Sequence, residues 1–202
     1  VLEVMGRYAG WIALESAIAG GADVALIPEI PYDINKAAQA IKARQAKGKN
    51  FSIVVVSEGA MSKDGENETH SAEGIDSQAG ISVKFGGIGQ KVAKELQDLT
   101  GLESRCTVLG YMQRGGTPTA YDRVLSTKYG AKAMELAMEE KFGVLTVIHN
   151  GNLTSVPLEE VVGNNKELGA VQGGTEDSTV RLVTMDDDLV KTARDIGICL
   201  GD

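Results

Sequence analysis

The run Phe51-Ser52-Ile53-Val54-Val55-Val56 constrains the fold more than any other segment of this 202-residue chain. It is rich in β-branched residues and lacks the polar alternation of a half-exposed strand. It therefore predicts a central parallel strand covered on both faces. The flanking sequence supplies the covers. Val1 to Met5 reads as a short strand. Trp11, Leu14, Ala17 and Ile18 recur at helical spacing between Arg7 and about Ile18, and Gly20-Gly21 follows as a C-terminal cap would. Asp23 to Glu29 reads as a buried strand stopped by Pro28 and Pro31. Asp33 is placed to cap a helix through Lys47, with Ile34, Ala37, Ala38 and Ile41 on one face. Gly86-Gly87 introduces a helix to about Leu99, followed by the strand Cys106-Thr107-Val108-Leu109. A long helix is expected from about Tyr121 to Lys141, a strand over Val144–Ile148 and a final helix over Asp187–Ile196. Such alternation implies an α/β protein with a parallel sheet and helices on both faces. Residues 59–80 read as a polar surface insertion and residues 164–178 as loop.

Composition narrows the partners. The net charge is −8, which argues against nucleic acid or an anionic membrane surface as the main partner. Aromatic residues make up only 4%, too few for a base-stacking platform. The two cysteines, Cys106 and Cys199, and the two histidines, His70 and His149, show no metal-ligand spacing, so no metal site and no disulfide framework is expected. Cys106 lies in an apolar strand and reads as a small buried hydrophobe. This cysteine usage suggests a reducing, cytoplasmic setting. No signal peptide or apolar run of spanning length is present. The sequence opens at Val1 within a strand-like run, as a fragment or processed product would.

In parallel sheets, ligands bind beyond the carboxyl ends of the strands. Three polar loops follow strands directly here: Met5-Gly6-Arg7, Ser57-Glu58-Gly59 and Tyr111 to Gly116. The third belongs to Gly110-Tyr111-Met112-Gln113-Arg114-Gly115-Gly116-Thr117-Pro118, followed by Asp122-Arg123. There a planar guanidinium stands beside glycines whose amides an anion can approach. Taken alone, the same segment also reads as a Gly-Gly turn with a solvated Arg114. Gly6-Arg7 lies between strand and helix, where free amides face an anion; taken alone it reads rather as a tight strand-to-helix turn with an exposed arginine. Glu58, at the end of an apolar strand, is placed to accept bonds from sugar hydroxyls or simply to be solvated. Arg105 alone reads as surface. Gly86-Gly87-Ile88-Gly89 lacks the spacing of a dinucleotide fingerprint and is taken as the start of a helix. Asp186-Asp187-Asp188 is taken as a charged helix N-terminus rather than a cation site.

The segments Val4-Met5-Gly6-Arg7-Tyr8-Ala9-Gly10-Trp11-Ile12-Ala13, Ala17 to Asp23, Ile27-Pro28-Glu29, Ser57-Glu58-Gly59 and Gly110 to Arg123 closely resemble the second half of the 6-phosphofructokinase family. The order and separations match along most of the chain. The resemblance implies phosphoryl transfer to the 1-hydroxyl of fructose 6-phosphate in glycolysis, from ATP or diphosphate with Mg2+, by a homo-oligomer, tetramer or dimer. It implies that Met5, Gly6 and Glu58 line the sugar and that Arg114 holds the 6-phosphate. Arg105 would reach that phosphate from a neighbouring subunit. Arg7 would stabilise the transferred phosphoryl group as the catalytic residue of this chain. Asp23 falls where bacterial members place an acidic residue at an effector-nucleotide site.

Two departures bear on these expectations. Tyr111 stands against the 6-phosphate where ATP-using members commonly have histidine, and diphosphate users more often show tyrosine. In addition, the family's glycine-rich donor loop and its Thr-Ile-Asp-Asn-Asp segment, whose aspartate is the catalytic base, do not occur in these residues. The expected organisation is a sugar-phosphate-binding α/β domain over 1–113, a segment over 114–165 that returns to the donor domain, and a C-terminal loop and helix over 166–202. The fold class is thus a phosphofructokinase-like C-terminal portion lacking most of the donor-binding domain. Apolar segments such as Val144–Ile148 would then leave an unpaired sheet edge. The resulting reading is the acceptor-binding half of a phosphofructokinase, inactive by itself. The alternative is a non-catalytic sugar-phosphate-binding or regulatory subunit; a third reading, a dinucleotide-binding domain, requires a fingerprint that the sequence lacks.

Overall fold

A computed structural model describes residues 1–64, 87–162 and 181–202. The chain divides into two compact units, Val1–Arg114 with Leu182–Asp202, and Gly115–Arg181.

The first unit is built on a four-stranded parallel sheet of β1 (Leu2–Val4), β2 (Val24–Leu26), β3 (Val54–Ser57) and β4 (Thr107–Val108), in the order β2-β3-β1-β4. All four residues of β3 are buried, as its composition requires. Side chains alternate across the sheet and so feed two cores. Val55, Ala25 and Ile27 face α1 (Trp11–Gly20) and α6 (Asp188–Asp195), where Leu14, Ala17, Val190 and Ala193 are buried. Val54, Val56, Val24 and Leu26 face α2 (Ile34–Ala46) and α3 (Ile88–Thr100), against Ala37, Ile41, Val92 and Leu96. The doubly covered parallel sheet is therefore present.

Local chemistry sets the boundaries. The Asp33 carboxylate accepts the Asn35 N–H at 2.8 Å and starts α2. Gly21, at φ +66°, ends α1 in the left-handed conformation. Two expected elements are shorter. Helix α1 begins at Trp11 rather than Arg7, because side chains outside the helix, Glu58 and Glu29, take the Gly6 and Gly10 N–H groups. Strand β3 begins at Val54 rather than Phe51, because the Asp23 carboxylate takes the Ile53 N–H and the Arg44 guanidinium takes the Phe51 carbonyl. Phe51 is left exposed, with that guanidinium 5.7 Å from its ring centroid.

Residues 182–202 join this first unit. Cys199 bridges Val24 in parallel, donating its N–H to the Asp23 carbonyl while its own carbonyl accepts from Ala25. Val183 N–H donates to Glu29 at 2.8 Å.

The second unit contains α4 (Ala120–Met138), the antiparallel pair β5 (Val144–His149) and β6 (Asn152–Pro157), and the short α5 (Leu158–Val162). Thr119 and Asp122 close a reciprocal capping box at the start of α4. Glu140, at φ +57°, turns the chain beyond its end. The sequence reading anticipated β5 but not its partner. Asn150 and Gly151, at φ +49° and +78°, form the two-residue turn that pairs them. The expected polar insertion lies outside the described residues from 65 onward, as do Gly86 and the expected loop at 164–178.

Candidate functional site

The parallel sheet places the carboxyl ends of β1, β3 and β4 at one edge, and side chains bind these ends to one another. Gly6, just beyond β1, adopts φ +145°. Its carbonyl accepts the Ser57 hydroxyl at 2.6 Å and the Gly59 N–H at 3.0 Å. Its own N–H donates to Glu58 Oε1 at 3.4 Å. A methyl group at Gly59 would overlap the Arg7 carbonyl oxygen, and one at Gly6 would overlap Ser57 Oγ. Two glycines thus permit a contact between loops that no larger residue allows. Beyond β4, Gly110–Arg114 forms a 3-10 turn, and Gln113 Oε1 accepts the Met5 N–H at 2.7 Å. Met5, Gly6, Glu58 and Gln113 are in this way joined directly.

Tyr111 and Arg114 are both exposed on that turn. Positions three apart in a 3-10 turn fall on one side of it, so the phenol and the guanidinium share a face. Arg7 is half-buried, its guanidinium 5.2 Å from the centroid of the Tyr8 ring. The segment that carries Arg7 is anchored at its far end by Glu29, whose two carboxylate oxygens each lie 3.0 Å from the Gly10 nitrogen.

The remaining candidates lie at the opposite edge. Arg105 precedes β4 and pairs with Glu103 at 2.8 Å, both side chains exposed. Within one chain it does not join the Gly6–Glu58–Gln113 cluster. Asp23 precedes β2, and its carboxylate is used by the fold, pairing with Arg44 at 2.9 Å and accepting the Ile53 N–H at 2.9 Å.

The start of α3, read from sequence as a helix start rather than a phosphate loop, is occupied by the chain itself. The buried Glu3 carboxylate accepts the Gly89 N–H there at 2.8 Å. Beside it, desolvation and then the Glu3 charge push the Cys106 thiol up from its usual range. The shift disfavours the thiolate that nucleophilic chemistry needs, and Cys106 is half-buried rather than buried as expected. Among the described residues no group of three or more His, Cys, Asp or Glu gathers as a cation site. No helix among them is long and apolar enough to cross a membrane.

The profile of the family described as Phosphofructokinase matches residues 1–137, more than half of the chain. The chain belongs to the phosphofructokinase family. It is 45% identical over 203 residues to "ATP-dependent 6-phosphofructokinase 2" of Clostridium perfringens, covering all of this chain and 50% of that protein. It is 43% identical to "ATP-dependent 6-phosphofructokinase" of Chloroflexus aurantiacus, again over all of this chain and 50% of the relative. The chain thus spans about half the length of the curated relatives it matches. Among solved structures, Pichia pastoris phosphofructokinase in the T-state superposes with a TM-score of 0.63 at 31% identity, over 83% of this chain and 18% of that one.

Within this phosphofructokinase chain, the sequence singled out Met5, Gly6 and Glu58, which the fold brings together. It assigned no role to Ser57, Gln113 or Glu29, which hold them there. Their common signal is a polar residue at or just beyond the end of an apolar strand, or in the loop that follows it. That signal marks a place in the fold without naming the partner.

Proposed function

We propose that this chain is the acceptor-binding portion of a 6-phosphofructokinase, which transfers a phosphoryl group to the 1-hydroxyl of fructose 6-phosphate in glycolysis. The observation that carries the proposal is the joining of Met5–Gly6, Glu58 and the Arg114 turn at one carboxyl edge of the sheet. Met5, Gly6 and Glu58 line the sugar, with the Glu58 carboxylate accepting from its hydroxyls. Arg114 binds the 6-phosphate as a planar cation, with the Tyr111 hydroxyl beside it as a neutral donor. Arg7, on the loop between β1 and α1, stabilises charge on the group in transfer. Arg105 faces away from this cluster within its own chain, so a neighbouring subunit of a homo-oligomer, dimer or tetramer, is the route by which it contacts the phosphate. Asp23 is kept as an effector-site candidate, with its carboxylate already paired with Arg44 and accepting the Ile53 N–H within the chain.

The names of the 43–45% identical relatives favour ATP as the donor, whereas Tyr111 is the residue that points towards diphosphate. Mg2+ would enter with the donor, and no described residue here is assigned to it. The cytoplasm is the compartment in which these substrates meet.

Assay of the intact protein containing this chain, with fructose 6-phosphate and each donor in turn, tests the proposal. Turnover with ATP is expected; turnover with diphosphate alone would reassign the donor. Tight acceptor binding without turnover by either donor would favour the regulatory-subunit reading. These 202 residues by themselves, lacking the Thr-Ile-Asp-Asn-Asp segment, are expected to bind the acceptor without turning it over.

A further inference from the structure

The β1–β4 ladder ends in a way that backbone pairing alone does not explain. Thr107 N–H donates to the Val1 carbonyl and Leu109 N–H to the Glu3 carbonyl, so the next β1 donor on that side is the Met5 N–H. A continued β4 would meet it with the Leu109 carbonyl. Instead Gly110, at φ +46°, turns the chain away, and the Leu109 carbonyl accepts the Met112 N–H at 2.9 Å. Gln113 Oε1 occupies the position of the missing rung, 2.7 Å from the Met5 nitrogen. On the other side of β1, Glu58 Oε1 accepts the Gly6 N–H in the same manner, while the Ser57 hydroxyl donates to the Gly6 carbonyl. The only bond among these from the Tyr111–Arg114 turn to the Met5–Gly6 backbone is the one from Gln113.

We infer that Gln113 is a positioning residue that sets the separation between Arg114 and the Met5–Gly6–Glu58 group, and thereby selects the length of the phosphorylated sugar bound between them. This rests on the acceptor site proposed above. Arg114 lies one residue from Gln113, so a shift of the turn that frees the Met5 N–H moves the guanidinium with it. An acceptor shorter than a hexose 6-phosphate fails to reach both ends while the rung is in place. It fits better once the turn is loose.

The test uses the intact enzyme and compares kcat/KM for fructose 6-phosphate with that for a five-carbon ketose 5-phosphate. Gln113→Met keeps the volume and loses the acceptor oxygen. Gln113→Asn keeps the amide but is one methylene short. Both are expected to lower the ratio of the two kcat/KM values about tenfold, one hydrogen bond's worth of discrimination, with KM for fructose 6-phosphate raised and KM for the donor unchanged. Gln113→Glu retains an oxygen in place. Its added charge weakens both acceptors alike, so the ratio is expected to stay near that of the wild type. An unchanged ratio in the Met and Asn variants would overturn the inference, however much activity they lose. So would an equal fall of the ratio in the Glu variant. If the wild-type enzyme fails to turn over fructose 6-phosphate, the acceptor reading itself falls, and this inference with it.

Discussion

At the scale of single residues, Gly59 and Arg114, on two of the loops of the candidate site, are constrained very differently. Gly59 has no freedom in size, since a methyl group there overlaps the Arg7 carbonyl oxygen. Backbone cannot yield as the end of a flexible side chain does, so Gly59→Ala is expected to destabilise the fold by about 3 kcal/mol. Urea denaturation of the purified variant measures this, and an unchanged midpoint would refute the packing argument. Arg114 is solvent-exposed, so its removal is expected to leave the fold intact. Arg114→Ala is therefore expected to weaken fructose 6-phosphate binding by about 2 kcal/mol, the scale of a charged hydrogen bond, without moving the melting temperature. Arg7→Ala is expected to depress kcat in the intact enzyme with a smaller effect on acceptor KM. Equal effects of both substitutions on KM would contradict the division of roles between them. Met5, Gly6, Glu58 and Arg114 were legible in the sequence because each belongs to a motif of distinctive composition. Gln113 sits in the same motif, but its role depends on the bend at Gly110, which the sequence presents only as another glycine.

Among the elements, the helices repeat a simple relation between cap chemistry and boundary. Hydrogen bonds from the Asn35 backbone and then its side chain hold the Asp33 carboxyl below its ordinary value. A carboxylate whose folded-state pKa is depressed adds stability above its unfolded pKa, about 4, and loses it as pH falls through the lower folded value. The stability difference between wild type and Asp33→Ala is thus expected to be full at neutral pH and to shrink as the medium is acidified below about pH 4. Denaturation of both proteins across that range checks the sign, and a difference that grows on acidification would be inconsistent with the cap. The same periodic reading placed α2, α3 and α6 within a residue or two. It missed the start of α1 because the Gly10 N–H is taken by Glu29, a partner 19 positions away. It missed β6, although Asn150-Gly151 carries the turn signal that would have revealed the hairpin.

For the whole molecule, the two units differ in how completely their apolar surface is covered. The first has two cores, one on each face of its sheet. Among the described residues, the second has a two-stranded sheet and exposes Met134, Met138, Phe142, Leu145 and Ile148. Exposed apolar residues beside unpaired strand edges favour association. These 202 residues by themselves are expected to self-associate with rising concentration, as sedimentation equilibrium would measure. A monomer at high concentration would count against this. The sequence by itself determined the alternation of strands and helices, the doubly covered β3 and the motifs that identify the family, because periodicity and composition act over short distances along the chain. Only the tertiary structure decided which oxygens meet the Met5, Gly6 and Gly10 amides in the segment between β1 and α1. Glu29 on Gly10, Gln113 on Met5 and Glu58 on Gly6 are contacts between distant segments, and distance along the chain carries no record of them.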